Sequence, residues 1–239
     1  MKLVLMDQDH PEFPSPDNAL DDPDGLLAVG GNLSPDTLLT AYSQGIFPWF
    51  QDDDPILWWN PSTRCIIEPE NLYISSRLRR LLRQNRYTVT GDTAFEKVIS
   101  ACAKPRDDGG TWITDEMIEA YIELFHQGYA HCVEVWQQDK LVGGIYGVLI
   151  GKIFCGESMF SAVDNGSKIA IAHLCQWMQV SGMQWLDCQL VNPHLTSLGA
   201  HSIKRSVFLK ELQKTPCIKR GWSFPQQSQW TEALLTNGS

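Results

Sequence analysis

The sequence lacks a hydrophobic run long enough to cross a membrane. Its longest, Val142 to Ile150, is nine residues with three glycines, where a spanning helix needs about 20. The stretch Met1 to Met6 meets Asp7 before the apolar core of a signal peptide can form, so a cytoplasmic location is expected. The seven cysteines are odd in number and hold no Cys-x-x-Cys pair, which excludes a disulfide framework and reads as reduced, mostly buried thiols. His-Glu-x-x-His, Gly-x-Ser-x-Gly and the phosphate-binding Walker loop are all missing, and the six histidines show no paired metal spacing. No metal and no cofactor are therefore expected. Disorder is excluded by a 239-residue chain that is 43% hydrophobic.

Basic residues are scarce at the start. Residues 1 to 55 carry eleven acids against one base, Lys2, while the remainder balances 18 bases against 17 acids. The net charge of −9 is thus concentrated in the first quarter, and a basic patch for a polyanion remains open on the rest. That first stretch is also dense in turn formers, with helical character only from Pro35 to Gln44, where Ser34 is the expected N-cap and Pro35 the first helical residue. We read residues 1–62 as a small N-terminal domain and 63–239 as a larger second domain. The second part alternates helix and strand signals. Helices are expected over Ser75–Asn85, Thr93–Ala103 and Ser167–Val180, another beginning at Thr114, and one near Ser206–Gln213. Strands are expected at Tyr87–Thr90 and Gln184–Leu190, with a β-meander from His131 to Cys155. This order predicts an α/β (α+β) layered fold with a mixed sheet.

Three groups of residues carry candidate chemistry. The aromatic clusters Gly45 to Phe50 (GIFPWF), Trp58-Trp59 and Thr111 to Thr114 (TWIT) either form an interdomain core or stack planar bases. The stretch Arg77 to Arg86 holds five arginines and no acid. It is either a solvated helix face or, because Arg77, Arg79, Arg80 and Arg83 have no acid at i±4 to neutralise them, a surface for a phosphate backbone. Glu157 follows a strand, and Asp187 and Gln189 interrupt an apolar one while sharing its face. They form either a buried hydrogen-bond network or a carboxylate orienting an amide.

Taken in order, GIFPWF, Trp58-Trp59, TWIT, Phe154 to Ser161 (FCGESMFS), Asp187 to Asn192 (DCQLVN) and Thr196 to Ala200 (TSLGA) resemble the bacterial leucyl/phenylalanyl-tRNA–protein transferases, near-collinearly from about residue 3 to about residue 212. The resemblance implies a GCN5-type N-acetyltransferase-like C-terminal domain. It also implies transfer of Leu, Phe or, less well, Met from aminoacyl-tRNA to the α-amine of proteins beginning with Arg or Lys, which marks them for N-end rule degradation. By the same resemblance Trp49 and Trp112 hold the terminal adenosine. Phe154, Cys155, Gly156, Met159, Leu174, Met178 and Leu186 form the donor side-chain pocket, and Glu157, Asp187 and Gln189 are the polar active-site groups. The enzyme is expected to act as a monomer away from membranes.

Two other readings share parts of this pattern. An acyl-CoA-dependent N-acetyltransferase needs a pyrophosphate loop that Ser161 to Ser167 lacks. A non-catalytic adaptor for protein N-termini would have no use for an arginine helix or base-stacking tryptophans.

Overall fold

The structure, a computed structural model, describes residues 3–51, 53–104, 113–214 and 221–229. Its strands, in chain order, are β1 (Val4–Met6), β2 (Leu26–Gly30), β3 (Phe47–Pro48), β4 (Leu57–Trp59), β5 (Thr63–Ile67), β6 (Thr88–Gly91), β7 (Ala130–Gln137), β8 (Lys140–Ile150), β9 (Ile153–Ser161), β10 (Trp185–Gln189) and β11 (His201–Lys204). Its helices are α1 (Pro35–Ser43), α2 (Ser76–Arg83), α3 (Phe95–Cys102), α4 (Asp115–His126), α5 (Gly166–Val180), α6 (Pro193–Thr196) and α7 (Arg205–Gln213). The fold is a mixed α/β arrangement around two sheets. A four-stranded sheet, β1-β2-β4-β3, holds the N-terminal strands, and a seven-stranded sheet, β11-β5-β10-β9-β8-β7-β6, holds the rest.

Local chemistry sets the helix starts. Ser34 accepts from the Thr37 amide ahead of Pro35, Ser75 from the Leu78 amide, and Thr114 from the Met117 amide with Asp115 and Glu116 in the first turn. Helix α3 has Ala94 at its N-cap position, which offers no side-chain cap. Instead the buried Glu134 reaches over from β7 and accepts from the Thr93 and Ala94 amides at 2.7 and 2.8 Å. The meander closes as expected. β7 and β8 join through Gln138 and Asp139, both at positive φ as a two-residue hairpin with right-handed strand twist requires.

The connection that builds the site is β9-α5-β10, because β9 and β10 run parallel and need a crossover helix. Helix α5 lies on β7 and β8, buried from Gly166 to Met178 apart from the half-buried Lys168. That seating depends on bare backbone: a Cβ on Gly143 would come within 2.5 Å of the Gly166 carbonyl carbon. Two apolar cores result. One joins α1 and the N-terminal sheet to α3, α4 and the near face of the large sheet, and the other fills the space between the large sheet and α5. No helix among the described residues is long and apolar enough to cross a membrane.

Candidate active site

The ladder between β9 and β10 stops at the pair Cys155 and Asp187. Past that point β9 continues along β8, whereas β10 shifts register between Asp187 and Gln189 and turns away. A cavity of about 300 Å³ opens where the two strands part. Gly156 and Met159 line it from β9, Leu186 and Gln189 from β10, Ile171 from α5 and Trp49 from the loop after β3.

Gln189 sits at φ +61°, a left-handed conformation that a side-chain-bearing residue adopts only at some cost. Its amide N–H donates to Asp187 Oδ1 at 2.9 Å, which holds the turn closed. Its side-chain Nε2 donates to Glu157 Oε1 at 2.7 Å. The carboxylate that receives the Gln189 side chain is therefore Glu157, and Asp187 holds the backbone of that residue instead. Asp187 is fully buried and clasped by Arg64, whose Nε and Nη2 donate to Oδ1 and Oδ2 at 2.8 and 2.7 Å.

Glu157 is also buried. Its second oxygen accepts from the Tyr121 hydroxyl at 3.1 Å, and Tyr121 in turn pairs with the hydroxyl of Tyr42 on α1. Burial raises the Glu157 carboxyl to about pH 7, while hydrogen bonds from Tyr42 and Tyr121 and the Arg64 charge hold it from going further. Burial likewise keeps Tyr42 and Tyr121 neutral, with pKa values well above the usual phenol range. The Cys155 thiol is pushed up by burial and by the neighbouring Asp187, which keeps it protonated.

Of the residues expected to form a donor pocket, Gly156, Met159 and Leu186 line the cavity, joined by Ile145, Ile171 and Leu195. Phe154, Cys155, Leu174 and Met178 are each at most 1% exposed and are absent from the lining. On α5, Leu174 and Met178 lie one and two turns beyond Ile171, in the core between this helix and the large sheet. Trp49 is 42% exposed at the rim, its ring centroid 5.6 Å from that of Trp59, whose Nε1 donates to the Trp49 carbonyl. Trp112 lies outside the described residues. Arg77, Arg79, Arg80 and Arg83 lie on the exposed side of α2 while Leu78 and Leu82 bury the other, and Arg77 meets Asp164 at 3.7 Å. Among the described residues no group of three His, Cys, Asp or Glu could hold a metal ion.

Reading the sequence missed Arg64, Tyr42 and Tyr121. One signal could have found Arg64: a lone base in the apolar strand Thr63–Ile67 and a lone acid in the apolar strand Trp185–Gln189 each demand a partner. The tyrosines carry no such mark, because each falls on the buried stripe of an ordinary amphipathic helix.

A family model for "Leucyl/phenylalanyl-tRNA protein transferase" matches residues 66–213, and the model of that family's N-terminal domain matches residues 31–62. The leucyl/phenylalanyl-tRNA–protein transferase of Shewanella baltica strain OS185 is 48% identical over 225 residues, covering 92% of this chain and 95% of its own. Those of Shewanella halifaxensis and Enterobacter sp. strain 638 are 52% and 51% identical over 211 and 212 residues, covering 88% and 89% of this chain and 89% and 90% of their own. The family match and these relatives define an aminoacyltransferase. The chain belongs to the leucyl/phenylalanyl-tRNA–protein transferase family.

Proposed function

We propose that the protein transfers Leu, Phe and, less well, Met from aminoacyl-tRNA to the α-amine of proteins that begin with Arg or Lys, and that it does so as a cytoplasmic monomer. The observation that carries this reading is the cavity itself. An apolar wall for a donor side chain and a half-exposed tryptophan for a base share one opening with a buried carboxyl held by an amide. The parallel β9-α5-β10 unit that splays to form it supports an acetyltransferase-like catalytic layer.

The donor ester arrives activated, so the site has only to place two groups and manage one proton. The terminal adenine stacks on Trp49, with Trp112 as its second support, and the donor side chain lies against Gly156, Met159 and Leu186. Phe154, Cys155, Leu174 and Met178 act from behind by fixing that wall. The acceptor's Arg or Lys side chain pairs with Glu157, which ionises fully when a cation arrives. With Gln189 Nε2 committed to Glu157, its Oε1 is the atom left to accept an N–H from the attacking amine. An α-amine of pKa about 7.7–8.0 is already about a tenth neutral at pH 7, so orientation can replace a strong base. The amine nitrogen bonds to the ester carbonyl carbon, the bond from that carbon to the ribose oxygen breaks, and the proton lost by the amine ends on the ribose hydroxyl. Asp187 keeps Gln189 in place throughout.

Incubation with radiolabelled leucyl-tRNA and a peptide starting with Arg tests this directly. Labelled peptide is expected, and acetyl-CoA is expected not to serve as donor. Binding of the peptide without transfer would make the protein an adaptor and refute the reading.

A further inference from the structure

Arg64 is the most buried cation of the site, 1% exposed on β5. Three of its N–H groups are committed. Nε and Nη2 grip both oxygens of Asp187, and Nη1 donates at 2.9 Å to the carbonyl of Gly45, the first residue of the loop that leads to Trp49. The guanidinium carbon lies over the rings of Phe47 and Phe208, 4.7 Å from each centroid. Taking this ion pair out of water is costly, and two apolar side chains would join β5 to β10 without that cost. What apolar residues cannot do is bind a carboxylate in a fork and a backbone carbonyl from another layer at once.

The oxygen that takes Arg64 Nε, Asp187 Oδ1, is also the one that accepts the Gln189 amide and so secures its left-handed turn. We propose that Arg64 is a positioning residue for aminoacyl transfer: one guanidinium holds Asp187, and through it the turn that aims Gln189, in register with the Gly45–Phe50 loop that carries Trp49. The inference rests on the roles given above to Gln189 and Trp49. It adds that the amine subsite and the adenosine subsite share one anchor. The anchor also gives Asp187 a duty apart from proton transfer, since its charge is already matched.

The test compares Arg64→Gln and Arg64→Lys with the wild type in transfer from leucyl-tRNA to an Arg-starting peptide, at a temperature where circular dichroism shows each protein folded. Arg64→Gln is expected to lower kcat by about 100-fold, the scale of a small misplacement of reacting groups. Arg64→Lys keeps the charge but cannot span three acceptors, so it should recover only part of the loss. In a Gln189→Ala background Arg64→Gln should lower kcat less than about two-fold further, because on the amine side the two act through one group, while the donor KM should still rise through the freed Gly45–Phe50 loop. Full additivity in that background, or normal kcat in a folded Arg64→Gln or Arg64→Lys protein, would overturn the proposal. If Arg64→Gln does not fold, Arg64→Lys decides alone, with normal kcat overturning the role and reduced kcat, absent on the Gln189→Ala background, supporting it. Absence of transfer by the wild type would refute the proposed function itself, and this role with it. Transfer by the wild type with unaltered variants refutes the Arg64 role alone.

Discussion

Glu157 binds its proton more tightly in the folded protein than a free carboxyl does, with a pKa near 7 against an ordinary 4.5, and burial is the cause. The sign of the consequence follows. A raised carboxyl pKa contributes stability that is complete below about pH 4.5 and is lost as pH rises through about 7. Well above pH 7 the ionised, desolvated carboxylate costs the fold roughly 3 kcal/mol by that difference, an upper bound given its hydrogen bonds to Gln189 and Tyr121. Glu157→Gln should therefore be more stable than the wild type at pH 8 and nearly equal to it at pH 4, as read from urea midpoints at the two pH values. A stability difference independent of pH would show that the carboxyl is not held protonated in the fold. In the proposed acceptor role the cost would have a use, because a cationic acceptor side chain would restore the partner that burial removed.

At the scale of elements, the β7–α3 contact makes the same point with a structural carboxylate. Glu134 supplies the N-terminal cap that Ala94 cannot, and its oxygens also take the Thr90 hydroxyl and the Cys132 thiol. Glu134→Ala should cost about 2–4 kcal/mol of unfolding free energy, since two helix amides lose their charged acceptor in a buried site. A loss below about 0.5 kcal/mol in denaturant unfolding would mean that water replaces it. Much of this level was legible in the sequence. Ser34, Ser75 and Thr114 act as caps where polar residues precede apolar periodicity, and the meander follows its turn residues. The N-terminal sheet was not legible. Its strands are two to five residues long, one is Phe47–Pro48, and the pairing that defines them comes from partners far along the chain. At the site, alternation placed Asp187 and Gln189 on one face, but the register shift at Cys188 that redirects the Gln189 amide to Glu157 depends on β5 and β9 and leaves no local mark. Periodicity puts Leu174 and Met178 on the sheet side of α5, and the crossover brings Ile171 of the same helix to the cavity.

The whole molecule joins an acidic N-terminal part to a nearly neutral remainder through the site. Tyr42 from α1 meets Tyr121 from α4, Arg64 binds Gly45, and Phe47 and Trp49 line the same cavity as β9 and β10. Outside it, α2 presents Arg77, Arg79, Arg80 and Arg83 to solvent. If these face the acceptor stem of the donor, replacing them with glutamine should weaken leucyl-tRNA binding. It should also flatten the salt dependence by about 0.7–0.9 in log–log slope for each phosphate left without its arginine, while an aminoacyl-adenosine donor is unaffected. Equal effects on both donors would assign the helix a structural role. The pairing of Glu157 with a cationic acceptor is tested most directly by the initial rate of leucyl transfer to peptides that differ only in their first residue, Arg, Lys or the uncharged norleucine, for the wild type and Glu157→Gln. The wild type should label the Arg and Lys peptides at least about 100-fold faster than the norleucine peptide, and Glu157→Gln should remove most of that difference, as loss of a desolvated charge pair requires. Equal labelling of all three by the wild type, or full discrimination by Glu157→Gln, would contradict that pairing.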